Sequence, residues 1–311
     1  MSISNSTNIF LVGINKKVYT TKKIISELQK QKINYTFIKW GDLYFEGSKI
    51  KSLKTKLDLT SFNASIIDIP SYTIVRKRNQ NKRIPIKLSH ELNILLKELQ
   101  KRNILTLNLQ FMLNYPYYNK FTQAYIFSKF NIPSISTIHL TDNKYEKIQK
   151  VLKNNNFNYP LVVKESNGGM GNGVWKLNNF FELKKFFRKT RNRNFIIQQY
   201  LKNAGDYRVL VCGNKVLGIM KRIAQKGEWK NNFSLGGKIE NYEDANMKKF
   251  AQDICKKLDL EYAGLDLFKI HNRYFVIEIN IFASFEGFEA TYPAINVSQE
   301  IINFLKNKQT F

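Results

Sequence analysis

The sequence predicts an α/β protein, with a small N-terminal α/β unit followed by a longer, mostly antiparallel α+β region. Three observations carry this. Residues 8–40 alternate strand, helix and strand signals: the apolar run NIFLVGI, then 20–32 with Ile24, Ile25 and Leu28 on one helical side, then 35–40. Near the C-terminus, GLDLF and FVIEIN read as strands, and His271-Asn272-Arg273 reads as the turn of a hairpin. The composition is that of a folded chain, 43% hydrophobic and 14% aromatic over 311 residues, enough for two or three domains.

In the N-terminal unit, residues 64–70 (ASIIDIP) are a third strand. Residues 89–102 form an amphipathic helix with Leu92, Leu95, Leu96 and Leu99 on its stripe and Ser89 as its cap. Residues 104–109 are a fourth strand, and this domain spans 1–112. No GxGxxG follows the first strand, which disfavours a dinucleotide site. The second region, 113–194, holds helices at 121–130, 142–153 and 181–188. A break at Pro133 follows the first helix, and strands are expected at 161–164 and 173–177. The third, 195–311, contains strands at 195–200, 206–211 and 216–221, a helix at 245–258, the hairpin, and a closing segment at 295–305.

The charge is extreme: 50 Lys and Arg against 24 Asp and Glu, net +26. Such a surface attracts polyanions. A compositional bias toward Lys, Asn and Ile, attraction of an acidic substrate, and nucleic-acid binding all fit it. Two cysteines, Cys212 and Cys255, form no CxxC. A disulfide framework and a thiolate metal site are therefore disfavoured, and a reducing, cytoplasmic setting is expected. The polar N-terminus lacks a secretory pattern. No apolar run reaches the roughly 20 residues of a membrane helix.

Two patterns bear on chemistry. Glu278 and Asn280, two apart in a strand, project to one face, and Asp266 on the neighbouring strand can join them. Two carboxylates and an amide oxygen are hard ligands suited to Mg²⁺ beside nucleotide phosphates. A polar sheet face with ordinary carboxylates is the plain alternative. Residues 164–173, KESNGGMGNG, place Gly168, Gly169, Gly171 and Gly173 between two strands, where backbone N–H groups can approach an anion. Lys164 leads that loop. The GKS/T ending of a P-loop is missing, so a phosphate loop and a plain turn both fit. Arg208, following Asp206, and Lys221-Arg222 bring cations to the carboxylate-bearing sheet. An ion pair from Arg208 to Asp206 or Glu278 is the structural alternative.

Taken together, these elements resemble the ATP-grasp fold, and more narrowly the ribosomal protein S6 modification-type glutamate ligases and related cofactor glutamyl ligases. The match runs from about residue 119 to the C-terminus. KFTQAYIFSKFNIP resembles the lysine-led helix, with Asn131 in place of a glycine. The resemblance implies an ATP-grasp fold of two α+β lobes after the N-terminal domain. It implies nucleotide binding by Lys120, Lys164, Gly168, Gly169, Gly171, Gln199, Tyr200, Asp206 and Lys230. It implies metal ligation by Asp266, Glu278 and Asn280, and catalysis by Arg208, Lys221, Arg222 and Asn232. Lys230-Asn231-Asn232 stands where Arg-Ser-Asn is usual, and the segment after Asn280 is altered.

The cofactors implied are ATP and Mg²⁺, with Mn²⁺ as the alternative metal. The expected reaction is ATP-dependent carboxylate–amine ligation through an acyl phosphate. Glutamate is the expected amino acid, and an acidic peptide, protein or carrier the expected acceptor. The chain is expected to be a homo-oligomer without membrane partners. The rival readings are a ligase of small metabolites and a non-catalytic ATP- or nucleic-acid-binding protein.

Overall fold

The protein is described by a computed structural model at residues 7–68, 72–77, 80–85, 89–142, 144–168, 173–190, 194–225 and 238–309. The N-terminal unit contains β1 (Asn8–Gly13), α1 (Tyr19–Lys30) and β2 (Asn34–Lys39), then the hairpin β3 (Leu43–Glu46)–β4 (Lys49–Ser52). β5 (Ala64–Asp68), the hairpin β6 (Tyr72–Lys77)–β7 (Gln80–Pro85), α2 (Ser89–Lys101) and β8 (Leu105–Thr106) complete it. The sheet order is β2-β1-β5-β8, and all three pairings are parallel. Ile9, Phe10, Leu11 and Val12 are each fully buried, as both faces of a parallel sheet require.

The fourth strand is shorter than its apolar pattern suggests. Asn108 takes φ 59° and starts α3 (Leu109–Asn114) instead. Its side chain explains the turn. Oδ1 accepts from the Glu261 and Tyr262 amides at 2.7 and 3.1 Å, and Nδ2 donates to the Tyr262 and Ile281 carbonyls. This one buried amide fastens the N-terminal unit to the C-terminal sheet, a contact local periodicity does not encode.

The middle of the chain holds α4 (Lys120–Lys129), β9 (Thr137–His139), α5 (Tyr145–Asn154), β10 (Leu161–Glu165), β11 (Val174–Leu177), α6 (Phe180–Lys189) and β12 (Phe195–Gln199). Its antiparallel sheet runs β11-β10-β12-β9. β12 thus belongs to this sheet. Asn131 has φ 49°, as expected where it replaces a glycine.

β13 (Asp206–Cys212), β14 (Lys215–Ile223), β15 (Lys238–Tyr242), α7 (Ala245–Lys257), β16 (Tyr262–Ile270), β17 (Arg273–Asn280), α8 (Glu286–Thr291) and α9 (Val297–Gln309) follow. The five-stranded sheet is ordered β15-β14-β13-β16-β17. Its hairpin closes on His271 and Asn272, both with positive φ. α7 covers one face through Met247, Ala251 and Ile254, which pack on Val209, Leu265 and Leu267. α8, α9 and the N-terminal unit share a core with the other face.

Candidate active site

Four adjacent strands, β14, β13, β16 and β17, place their charged residues in register. Arg208 lies opposite Asp266, Asp266 opposite Glu278, and Asp206 opposite Arg222. Asn280, opposite Gly264, projects with Glu278. All of these share the sheet face away from α7. Arg208 grips Asp266 with two parallel bonds, Nε to Oδ1 at 2.7 Å and Nη2 to Oδ2 at 2.8 Å. Arg222, only 5% exposed, bonds Asp206 Oδ1 through Nε and lies 3.1 Å from Asp266 Oδ2 through Nη2.

The electrostatics follow. Burial pushes Asp266 up, but Arg208 and Arg222 outweigh it and hold the carboxyl down at about 2. Burial raises Asp206, which Arg222 only partly offsets and nearby Asp266 reinforces. Burial acts to lower Arg222, and the two aspartates more than reverse it, so this guanidinium stays charged.

The middle region supplies the facing side. Asn119 caps α4, accepting from the Phe121 and Thr122 amides. Gln123 Oε1 accepts the Ile279 amide at 2.9 Å, and the Tyr118 hydroxyl donates to the Ile279 carbonyl at 2.8 Å. The start of α4 is thereby clamped to β17. Lys120 Nζ stands 3.6 Å from Glu278 Oε1 and donates to the Gly168 carbonyl. Lys164, on β10, is depressed to about 8 by burial first and by Lys120 second; Glu278, Asp206 and Asp266 oppose this. Lys120, bonded to Gly168 beyond β10 and paired with Glu278 on β17, links the Lys164 end of the middle sheet to the charged sheet. Gly173 needs its φ of 68° and its missing Cβ, which would lie 2.9 Å from Glu165 Oε2.

Not every expected residue converges. Lys221 pairs in register with Tyr207 and Glu240, and this parity puts it on the α7 face. The other cations expected with it, Arg208 and Arg222, lie on the opposite face. Arg222 belongs to the cluster, but it is enclosed between two aspartates and positions them. Asp206, expected at the nucleotide ribose or on the Arg208 side, is bonded to Arg222 on the sheet face that Arg208 shares. Gln199 turns its side chain to the Asn156 carbonyl at 3.2 Å, away from the Lys164 face, which leaves its backbone for the adenine contact that the resemblance implies. The Tyr200 ring carries Lys176 Nζ at 3.8 Å from its centroid. Gly169, Gly171, Lys230 and Asn232 lie outside the described residues. Sequence reasoning missed Gln198, which shares the Lys164 face. Its Nε2 bonds Thr137 and its buried Oε1 has no partner. Strand parity around Lys164 was the signal that could have found it.

Asp266, Glu278 and Asn280 fit a divalent cation by donor chemistry, being all hard oxygens on adjacent strands. Asn280 adds an observation: its Nδ2 is buried without a hydrogen-bond partner, a group that a nucleotide phosphate oxygen would satisfy. Arg208, Arg222, Lys120 and Lys164 surround these carboxylates with the cations a polyphosphate requires.

Comparison with known proteins bears on the fold and family. A relative from Trichodesmium erythraeum described as "Probable alpha-L-glutamate ligase" is 31% identical over 152 residues, covering 47% of this chain and 50% of that protein. The chain thus spans about half the length of the curated relatives it matches. The fold is similar to the ATP-grasp ligase PsnB complexed with a phosphomimetic variant of its minimal precursor, Mg and ADP. That likeness has a TM-score of 0.68 at 15% identity, over 98% of this chain and 100% of that one. It is similar too to the RimK domain protein ATP-grasp from Sphaerobacter thermophilus, with TM-score 0.68 at 13% identity, over 96% and 99%. A family model for the RimK-like ATP-grasp domain matches residues 118–305, the span that builds both facing sheets, and the chain belongs to that family.

Proposed function

We propose that the protein is an ATP-dependent carboxylate–amine ligase that joins glutamate to an acidic peptide, protein or carrier. The observation that carries this is the register of Arg208, Asp266 and Glu278 beneath Lys120 and Lys164. A carboxylate is a poor electrophile, and its oxygen is a poor leaving group. ATP with a divalent cation, Mg²⁺ or Mn²⁺, supplies the phosphoryl group that makes it an acyl phosphate. Lys120 and Lys164 bind and orient the phosphates. Asp266, Glu278 and Asn280 hold the metal. Arg222 fixes Asp206 and Asp266, and Arg208 balances negative charge at the carboxylate being activated.

Glutamate as the amino acid is supported by the naming of the relatives. A peptide acceptor is supported by the PsnB complex with its minimal precursor. The net charge of +26 favours an acidic one. We assign three units: the parallel sheet, the middle sheet through β12, and the five-stranded sheet. Both cysteines are free and buried, which suits a reducing compartment. Among the described residues no helix is long and apolar enough to cross a membrane.

The test is ATP-dependent mass gain over amino acids crossed with acidic and neutral peptides. A glutamyl increment on acidic peptides supports the reading. ATP binding without Mg²⁺-dependent ADP release in any mixture replaces it with a non-catalytic nucleotide-binding role.

A further inference from the structure

The helix α4 inverts the usual arrangement of a surface helix. Its polar Gln123 turns inward to the Ile279 amide, beside buried Ile126 and Phe127. Its aromatic residues turn outward: Phe121 is 45% exposed and Tyr125 55%. The two are four residues apart and share one helix face. Tyr117, in the turn before the helix, is 56% exposed, and the Thr122 hydroxyl donates to its carbonyl at 2.7 Å, which fastens that turn to the start of α4. A surface helix ordinarily shows water its polar side. Here three half-exposed rings gather along the outer side.

This aromatic strip borders the candidate active site. Lys120, the residue before Phe121, reaches Glu278 at 3.6 Å. The Phe121 ring stacks on the His139 imidazole with centroids 4.2 Å apart. His139 is in register with Ile196, and Ile196 with Lys164, so His139 lies on the sheet face that carries Lys164. At the other end, Tyr117 meets His90 of α2 edge-on at 6.0 Å. The strip thus runs from the N-terminal unit to the middle sheet, on the helix that also presents Lys120.

Charge, size and spacing select the occupant. No Asp or Glu occurs between Arg102 and Asp142, whereas Lys120 and Lys129 do. Lys129 Nζ stands 6.0 Å from the Tyr125 centroid and 5.6 Å from that of Phe130, which puts a cation at the far end of the strip. Rings and cations on a segment without carboxylates fit an acidic partner that also carries apolar side chains. Three rings of about 200 Å² each, half exposed, offer only about 300 Å², against roughly 800 Å² per partner in a standard interface, which is too little for a second copy of the chain. Phe121 and Tyr125 are about 6 Å apart along the helix axis, and alternate side chains of an extended peptide are about 6.6 Å apart.

We infer that the strip docks the acceptor, as an extended acidic peptide segment whose alternate apolar side chains sit on Phe121 and Tyr125 with a carboxylate toward Lys129. This rests on the ligase reading and adds where the acceptor chain lies and what it contains besides charge.

The test is fluorescence anisotropy on the full chain loaded with ADP and Mg²⁺, at one fixed salt concentration. The probes are two labelled glutamate heptapeptides, one with phenylalanine at its third and fifth positions and one with alanine there. Their charge is equal, so only the rings differ. Wild type should bind the phenylalanine peptide at least tenfold more tightly. Phe121→Ser combined with Tyr125→Ser should erase that preference and leave ADP affinity unchanged. Tyr125→Ser alone should reduce it severalfold, and it decides if the double variant fails to fold. Equal binding of the two peptides to wild type, binding of neither, or a preference unchanged in a folded variant overturns the assignment. An oligothymidylate that outcompetes the phenylalanine peptide and weakens in the variants would give the strip to nucleic acid. A dimer in sedimentation velocity that the variants dissolve would give it to a second copy. Either overturns the assignment too. The ligase reading fails separately, as absent Mg²⁺-dependent ADP release with ring-dependent peptide binding retained.

Discussion

Arg208 and Asp266 form a bidentate pair across two adjacent strands, with Nε–Oδ1 at 2.7 Å and Nη2–Oδ2 at 2.8 Å. Arg222 approaches the same carboxylate at 3.1 Å. Both Asp266 oxygens therefore face guanidinium groups, while among the described residues Glu278, across the ladder, pairs with Lys120 at 3.6 Å. The two proposed metal carboxylates differ in constraint. Asp266 is fixed and ionised, and Glu278 is adjustable.

That asymmetry makes Glu278→Gln the clean probe of the metal site. Its side chain is 27% exposed and, among the described residues, pairs with Lys120 alone, so the loss of stability should stay below about 1 kcal/mol. Mg²⁺-dependent ADP release should be abolished. Retention of full ATP turnover in a normally folded Glu278→Gln protein would show that the carboxylate is not a metal ligand.

Arg222 and its chain neighbour Lys221 should behave oppositely. Arg222→Met strips the countercharge from Asp206 and one of two from Asp266, inside a closed site. Removing one partner of such a pair costs about 3–5 kcal/mol. Lys221→Ala, on the α7 face, should cost less than about 1 kcal/mol and leave activity near wild type. Urea unfolding of the two variants checks the contrast. Comparable destabilisation would contradict the parity assignment.

Much of this was legible in the sequence because it depends on local rules. The Glu278–Asn280 spacing and the His271-Asn272 turn fixed a face and a hairpin, and Asp266 fell opposite Glu278 in register. What escaped depended on partners distant in the chain. Lys221 and Arg222 are indistinguishable by composition, and only their register with Tyr207 and Asp206 separates them. Asn108 ends β8 early because of residues more than 150 positions away. β9 and β15 are short strands with little alternation, and pairing with β12 and β14 defines them.

Gly264 is the close-packing point of the site. A Cβ there would sit 2.6 Å from the Ala283 Cβ and 3.7 Å from Arg208 Cδ. Gly264→Ala should destabilise by about 1–3 kcal/mol through overpacking, and it should lower kcat by displacing Asn280 and Arg208. Gly264→Ala with Ala283→Gly should recover more than half of the stability, since the clash is chiefly with one methyl group. A double-mutant cycle in urea measures the coupling. Strict additivity would mean that the strand and the 283 segment are not in contact.

The last prediction uses the depressed Lys164. Free of nucleotide, it titrates near 8 against an ordinary 10.5, because burial and Lys120 disfavour its charged form. A bound diphosphate favours the charged form and raises that pKa again. Between about pH 8 and 10 the complex therefore holds more protons than the free protein. ADP binding at pH 8.5 should take up a fraction of a proton, and affinity should fall as pH rises through this window. Calorimetry in buffers of differing ionisation enthalpy reads the uptake directly, and at this pH the ADP phosphates are already ionised. Lys164→Arg keeps its charge throughout and should abolish the uptake, while Lys164→Ala should weaken ADP at least tenfold at pH 7. Proton release on binding, or unchanged uptake in Lys164→Arg, would remove Lys164 from the phosphate site.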